Sequence, residues 1–256
     1  MSLDTPSCDD IPIMSELAGV RYLHLGTEWV QGAMRIRRPA ELVLAYARQM
    51  MSWLLFLEPD KDSCVGLLGL GAGSLLRYTL AYTNATAETA EWNPAVTAMC
   101  RAYFRLPENE RSRIEHVDAQ LWLDENRNIA RYMALMVDLY DASARGPVRD
   151  SVQFYQLCFR ALGDVGIMTV NLFGDHESFP RNMANIREAF DGRVIELPEV
   201  DEGNSVVLAF KGPLLRIGTK QLQARADRLE SIYKLPARHW ARFLLSTHEQ
   251  AGEFVV

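Results

Sequence analysis

Cysteine is scarce in this 256-residue chain, and the four present are far apart. Cys8, Cys64, Cys100 and Cys158 form no Cys-x-x-Cys pair. The last three sit inside apolar runs, where a small buried thiol is the usual reading. This usage fits a reducing, cytoplasmic setting. Long apolar runs are also missing. None reaches the roughly 18–20 residues that a membrane helix needs. The stretch 1–12 is polar and carries Asp4, Asp9 and Asp10, without the basic and apolar regions of a secretory signal. Positive charge is in deficit, with 27 Lys and Arg against 33 Asp and Glu. A net charge of −6 makes no electrostatic case for nucleic acid. Arg35, Arg37 and Arg38 cluster, as a solvated face does. The five histidines show no metal-ligand spacing, so no metal is expected. A Walker A sequence and a Gly-x-Ser-x-Gly elbow are both absent, which argues against a nucleotide triphosphatase and a serine hydrolase.

What is present is a well-stocked core and a regular alternation. The hydrophobic fraction is 48%, enough for a large buried interior. Short apolar runs at 64–69, 86–91, 113–117, 133–138 and 166–172 read as strands. Helical patterns at 73–82, 94–104, 118–125, 151–162 and 177–190 separate or follow them. Runs at 194–197 and 205–210 supply two last strands. No helix lies between those two, so one of them is expected to run antiparallel. Met133–Val137 is almost continuously apolar, as a strand covered on both faces must be. Such alternation predicts an α/β fold: an open sheet of about seven mostly parallel strands with helices on both faces. Before it, Tyr22–Leu25 and Trp29–Met34 suggest a small hairpin, and Pro39–Leu57 a helix. After it come two helical patterns, 220–229 and 237–245. The organisation expected is an N-terminal extension (1–60), a ligand-binding catalytic unit (61–212) and C-terminal helices packed on it (213–256).

The densest signal lies between Cys64 and Pro94. An apolar strand runs into Gly69-Leu70-Gly71-Ala72-Gly73, a helix follows, and a second strand ends in Glu91, 22 residues after Gly69. This is how a Rossmann-like βαβ unit holds an adenosine-type nucleotide. Gly69, Gly71 and Gly73 let backbone approach the ligand, and Glu91 accepts bonds from ribose hydroxyls. The bland alternative is an ordinary tight turn. Asp118 follows the third strand and Asp138 ends the fourth. Ligands bind beyond the carboxyl ends of such strands, so these residues converge on one rim. Asp118 also suits a helix N-cap, and both roles are compatible.

Together these residues resemble the spermidine synthase (polyamine aminopropyltransferase) family, within the class of folds shared with adenosylmethionine-dependent methyltransferases. The resemblance spans roughly residues 20–212. Leu68–Ser74 stands where that family has its glycine-rich turn. Ala90-Glu91-Trp92-Asn93 stands where it has Val-Glu-Ile-Asp. Val117-Asp118-Ala119 matches the step that contacts adenine. Val137-Asp138-Leu139-Tyr140-Asp141 matches its Asp-x-x-Asp segment, followed by Gly146-Pro147. The resemblance implies a Rossmann-like, class I methyltransferase-like catalytic unit. Gly69, Gly71, Gly73, Glu91, Asp118 and Ala119 would bind the nucleoside. Asp138 and Asp141 would be catalytic, and Gln31, Tyr46 and Tyr140 would line the substrate pocket. The co-substrate implied is decarboxylated S-adenosylmethionine, or S-adenosylmethionine if the enzyme is a methyltransferase. A nucleoside-binding homologue without catalysis is a third reading. A small-molecule amine is the implied acceptor, and a homodimer or homotetramer the implied assembly.

Several positions depart from the family pattern, Asn93 for Asp mildly, since an amide still bonds a nucleoside. Ala72 replaces an acid that holds the aminopropyl amine, and Arg48 stands where an acid would be. Amines carry charge and need carboxylates as they lose water. An atypical acceptor pocket follows as an expectation. For the chemistry itself, a carboxylate beside the amine must take or orient its proton, because an ammonium has no lone pair. Asp138, ending a buried strand, is the first candidate for that work. Asn171-Leu172-Phe173 ends the next strand near the rim, where it is placed to contact substrate, with packing the simpler reading.

Overall fold

The computed structural model describes residues 11–140, 148–174, 176–200 and 203–256. Its centre is a seven-stranded sheet. The strands are β4 (Cys64–Leu68), β5 (Thr86–Ala90), β6 (Ser112–Glu115), β7 (Tyr132–Val137), β8 (Leu162–Phe173), β9 (Val194–Glu196) and β10 (Asn204–Lys211). Their spatial order is β6-β5-β4-β7-β8-β10-β9. The first five run parallel, and β10 is antiparallel to both its neighbours. The expectation of one reversed strand among the last two is met by β10. The order reverses between β4 and β7, where an open sheet leaves a crevice at its carboxyl edge.

The apolar runs are explained by which face each side chain meets. Successive strand residues point to opposite faces. Val65, Leu67, Ala134 and Met136 join one buried cluster, while Leu68, Leu135 and Val137 join the other. The first cluster takes in α2 (Ser74–Tyr82) and α3 (Pro94–Tyr103), together with α7 (Thr219–Tyr233) and α8 (Ala237–His248). The second takes in α4 (Ala119–Asp124), α5 (Val152–Ala161) and α6 (Phe179–Ala189). No helix among the described residues is long and apolar enough to cross a membrane.

Several elements differ from the sequence reading. The N-terminal hairpin is a three-stranded antiparallel sheet of β1 (Pro12–Leu17), β2 (Val20–Leu25) and β3 (Gly32–Arg35). β1 was not legible because five of its six residues are exposed, so no in–out alternation marks it. The helix expected over Pro39–Leu57 is α1 (Ala45–Met50) continued by a 3-10 turn at Met51–Leu55. Six successive buried residues, Met50 to Leu55, leave no solvent face of the kind an amphipathic α-helix has. The C-terminal helices are joined by a small sheet in the order β11 (Arg216–Gly218), β13 (Glu253–Val255), β12 (Glu249–Gln250). Strands of two or three residues are too short to show a period.

The small N-terminal sheet is docked on the glycine-rich turn. Ser74 Oγ donates to the Ala33 carbonyl (2.9 Å). A Cβ on Gly32 would stand 2.7 Å from both Ala72 Cβ and Ala72 N. Arg77, buried without a carboxylate partner among the described residues, spans the junction from behind. It donates to the carbonyls of Pro39 (2.8 Å), Ala72 (2.5 Å) and Phe104 (2.9 Å). Burial lowers its pKa to about 10. This docking brings the β2–β3 loop, with Trp29 and Gln31, to the carboxyl edge of the sheet.

Candidate active site

A cleft of about 620 Å³ opens at that edge, between the ends of β4, β5 and β7 and the β2–β3 loop. Its size lies within the range of small-molecule sites, about 300–1,000 Å³. Gly69 and Gly71 form one wall, and Glu91, Asp118, Ala119, Asp138, Tyr140, Gln31 and Tyr46 line it as well. The residues singled out in the sequence are thus drawn from six separate segments into one cavity. Two are not. Gly73 adopts φ +71° at the start of α2 and faces Leu106 and Arg77, away from the cleft. Asp141 and the Gly146-Pro147 step lie outside the described residues.

Glu91 sits at the floor with both carboxylate oxygens engaged. Oε2 accepts the N–H of Leu70 (2.9 Å) and Oε1 the N–H of Asn93 (2.8 Å). The carboxylate thus holds the glycine-rich turn and the start of α3 in register, with one lone pair per oxygen left for a ligand. Burial pushes its pKa up, opposed by those two N–H donors. Asn93 caps α3, accepting from the Ala95 N–H (3.0 Å), and Pro94 supplies the first helical position. Trp92, between them, is 48% exposed and lines the cleft. A large aromatic ring left open inside a cavity is a stacking surface for a flat ligand.

Asp118 caps α4: its Oδ1 accepts from the N–H groups of Gln120 (2.9 Å) and Leu121 (3.2 Å). Its Oδ2 accepts from Arg149 Nη2 (2.6 Å). Burial raises its pKa, but the Arg149 and backbone donors outweigh burial and hold the carboxyl below the usual range.

Asp138 stands immediately after β7, at the crevice. Tyr46 Oη donates to its Oδ2 (3.3 Å) and Asn171 Nδ2 to its Oδ1 (3.0 Å). Burial raises its pKa against these two donors. Asn171 Oδ1 is itself buried and has no hydrogen-bond partner among the described residues. Tyr140 Oη donates to the Asn171 carbonyl (3.0 Å), fixing the strand that carries it. Asn171, for which the sequence offers either a rim contact or packing, is therefore a partner of the candidate base. The alternation of β8 places it on the cleft side, but neighbouring strands had to be known first.

Ala72 and Arg48 also take other places than the family pattern suggested. Ala72 is buried under Gly32 and does not line the cleft. Arg48 donates to the carbonyls of Leu42 (2.9 Å) and Val43 (3.2 Å) and is not among the lining residues. Among the described residues, no group of three His, Cys, Asp or Glu side chains is arranged to hold a metal.

No protein-family model matches the chain. Solved structures of the same fold include a probable spermidine synthase from Corynebacterium glutamicum, with TM-score 0.70, 18% identity, and coverage of 92% of this chain and 90% of that one. A spermidine synthase in complex with the transition-state analogue AdoDATO superposes with TM-score 0.57 at 19% identity, over 78% and 73% of the two chains. Human methyltransferase-like protein 13 in complex with SAH does so with TM-score 0.61 at 17% identity, over 76% and 94%. The fold alone therefore does not separate the two reaction classes. The amino-acid sequence does. A polyamine aminopropyltransferase of Neisseria meningitidis is 34% identical over 242 residues, 94% of this chain and 91% of that protein. The polyamine aminopropyltransferase of Chromobacterium violaceum is 32% identical over 246 residues, 95% and 93% of the two. At that identity over nearly the full length of both proteins, the chain belongs to the polyamine aminopropyltransferase family.

Proposed function

We propose that the protein transfers an aminopropyl group from decarboxylated S-adenosylmethionine to a small amine, leaving methylthioadenosine. The observation that carries this reading is Asp138, a carboxylate held by Tyr46 and Asn171 at the crevice. The nucleoside would lie across Gly69 and Gly71, its ribose on Glu91 and its base toward Asp118, Ala119 and Trp92. The co-substrate supplies a carbon already activated by a sulfonium. The chain's own task is to align the amine and remove its proton. The amine lone pair forms the new C–N bond as the C–S pair returns to sulfur. Asp138 accepts the proton that the nitrogen must shed. Its raised pKa makes it a stronger base than an ordinary carboxylate, and Tyr46 and Asn171 hold both its oxygens in place. Gln31 and Tyr140 complete the wall around the acceptor.

The assay is direct. Purified protein given decarboxylated S-adenosylmethionine and putrescine should release methylthioadenosine, while S-adenosylmethionine in its place should not. A panel of mono-, di- and triamines that yields no methylthioadenosine overturns the proposal. Tighter binding of S-adenosylmethionine than of its decarboxylated form would move the reading to methyl transfer. Binding itself has an optical readout. Trp92 and Trp29 are exposed in the cleft, whereas Trp53, Trp122 and Trp240 are buried. Methylthioadenosine should quench tryptophan emission, and W92F should lose more of that quenching than W29F does. A W92F titration that quenches like the wild type would place the base elsewhere.

A further inference from the structure

Glu28 has no place in the sequence reading, yet it stands in the cleft on the β2–β3 loop. That loop is braced. Gln31 N–H donates to the Leu23 carbonyl (2.8 Å). His24 Nδ1 donates to the Trp29 carbonyl (3.1 Å), and its Nε2 accepts from Ser15 Oγ (2.8 Å). The loop is also pressed on the glycine-rich turn, where a Cβ at Gly71 would stand 2.9 Å from the Gln31 carbonyl oxygen. Glu28 thus reaches the cavity from the N-terminal sheet, whereas the other acids reach it from the central one.

The described residues lining the cleft carry four carboxylates, Glu28, Glu91, Asp118 and Asp138, against one guanidinium, Arg149. A cavity with that balance favours cationic ligands. Three of the acids are positioned by protein donors: Glu91 by two backbone N–H groups, Asp118 by α4 and Arg149, Asp138 by Tyr46 and Asn171. Glu28 is exposed and makes no hydrogen bond or ion pair among the described residues. Next to it in the chain, Trp29 and Val30 line the same cleft, each 41% exposed. A carboxylate for a charged head, with apolar surface for a methylene chain, is what a primary alkylammonium requires.

We propose that Glu28 is a specificity-determining residue that holds a primary alkylammonium of the reactants. The proposal rests on the reading that an adenosyl sulfonium and an amine meet in this cleft. Two groups have the right chemistry: the aminopropyl end of decarboxylated S-adenosylmethionine, and the acceptor amine remote from the attacking nitrogen. Held on the donor, the contact favours the decarboxylated co-substrate over S-adenosylmethionine, whose carboxylate Glu28 repels. Held on the acceptor, it favours diamines over monoamines. The contact is with a charge away from the reacting atoms, so it acts on affinity and leaves kcat unchanged.

Methylthioadenosine, which has no ammonium, is the control. Glu28→Gln should weaken the ammonium-bearing reactant about 2–5-fold, the range of an exposed ion pair, and Glu28→Lys should weaken it further. Calorimetry with decarboxylated S-adenosylmethionine reads the donor, and the KM for putrescine reads the acceptor. Methylthioadenosine affinity and kcat should stay within about twofold of the wild type, and the gap between wild type and E28Q should narrow as sodium chloride is raised. Unchanged affinity for both reactants in E28Q and E28K overturns the proposal, as does methylthioadenosine affinity that falls in step with theirs. If the wild type itself does not bind methylthioadenosine, the adenosyl reading of the cleft fails, and the proposal with it. The two failures are thus told apart.

Discussion

Asp138→Asn should abolish turnover while leaving the nucleoside site intact. Removing a positioned general base typically costs about 10²–10⁴ in rate, so kcat should fall by about that factor with methylthioadenosine affinity within a few-fold of the wild type. The substitution should also stabilise the fold at neutral pH, which separates it from a merely damaging change. Burial raises the Asp138 pKa. For a carboxyl shifted upward, the stabilising state is the protonated one. Its contribution is present below the unfolded pKa and lost as pH rises through the folded one. At neutral pH the ionised side chain therefore strains the native state, and a neutral amide removes that strain. Room for the amide exists. Asn171 Oδ1 lacks a partner among the described residues, so a rotation of the Asn171 amide lets it accept from the new Nδ2. A higher Tm for D138N with lost kcat, together with a wild-type rate that falls as pH drops through the raised Asp138 pKa, is the expected pair of results. Retained turnover in D138N, or a lower Tm, would contradict this account of Asp138.

The same residue shows what a sequence exposes and what it conceals. Asp138 was legible because a fully apolar strand, Tyr132–Val137, ends abruptly in an acid, and strand ends are where open α/β sheets bind. Glu91 and Asp118 were legible for the same reason. Each follows a strand that the apolar runs mark along the chain, and each acid also does a local job, bridging two N–H groups or capping a helix, that fixes its place. The partners of Asn171 and Arg149 were hidden because they are long-range neighbours. Asn171 meets Asp138 only through the β7–β8 pairing, and Arg149 meets Asp118 across 31 residues. Ala72 and Arg48 taught the reverse lesson. Read by position alone, one removes a carboxylate from the pocket and the other adds a repelling cation. Folding turns Ala72 under β3 and binds Arg48 to backbone carbonyls, so neither lines the cavity. β1 and the strands β11–β13 escaped for a simpler cause: exposed or very short strands carry no hydrophobic period.

Gly69→Ala should be the most damaging change in the glycine-rich turn, and for a reason the turn itself does not reveal. A glycine there is ordinarily explained by close approach of the ligand. In this fold the nearest obstacle is protein. A Cβ at Gly69 would stand 2.3 Å from the Asp138 carbonyl oxygen, inside any tolerable contact. The cause is the crossover of the sheet: Asp138 N–H donates to the Leu68 carbonyl (2.9 Å), so the ends of β4 and β7 are drawn together where the strand order reverses. Gly69 also adopts φ +91°, a conformation that costs a side-chain-bearing residue about 1–3 kcal/mol. Backbone cannot swing aside as a flexible side chain does. Either the β4 end shifts, misplacing the Leu70 N–H that Glu91 holds, or Asp138 shifts away from Tyr46 and Asn171. Both halves of the site then fail at once. The expected result is a loss of stability of about 2–6 kcal/mol by denaturant unfolding, the sum of conformational strain and overpacking. Methylthioadenosine binding and turnover should fall together. Gly73→Ala provides the contrast. Its φ of +71° and its contacts with Leu106 and Arg77 should cost stability too, but it stands outside the cleft. Protein that remains folded should keep more of its nucleoside affinity than G69A does. Should G73A prove the worse binder of the two, the glycine nearest Asp138 would not be the one on which the site's geometry depends.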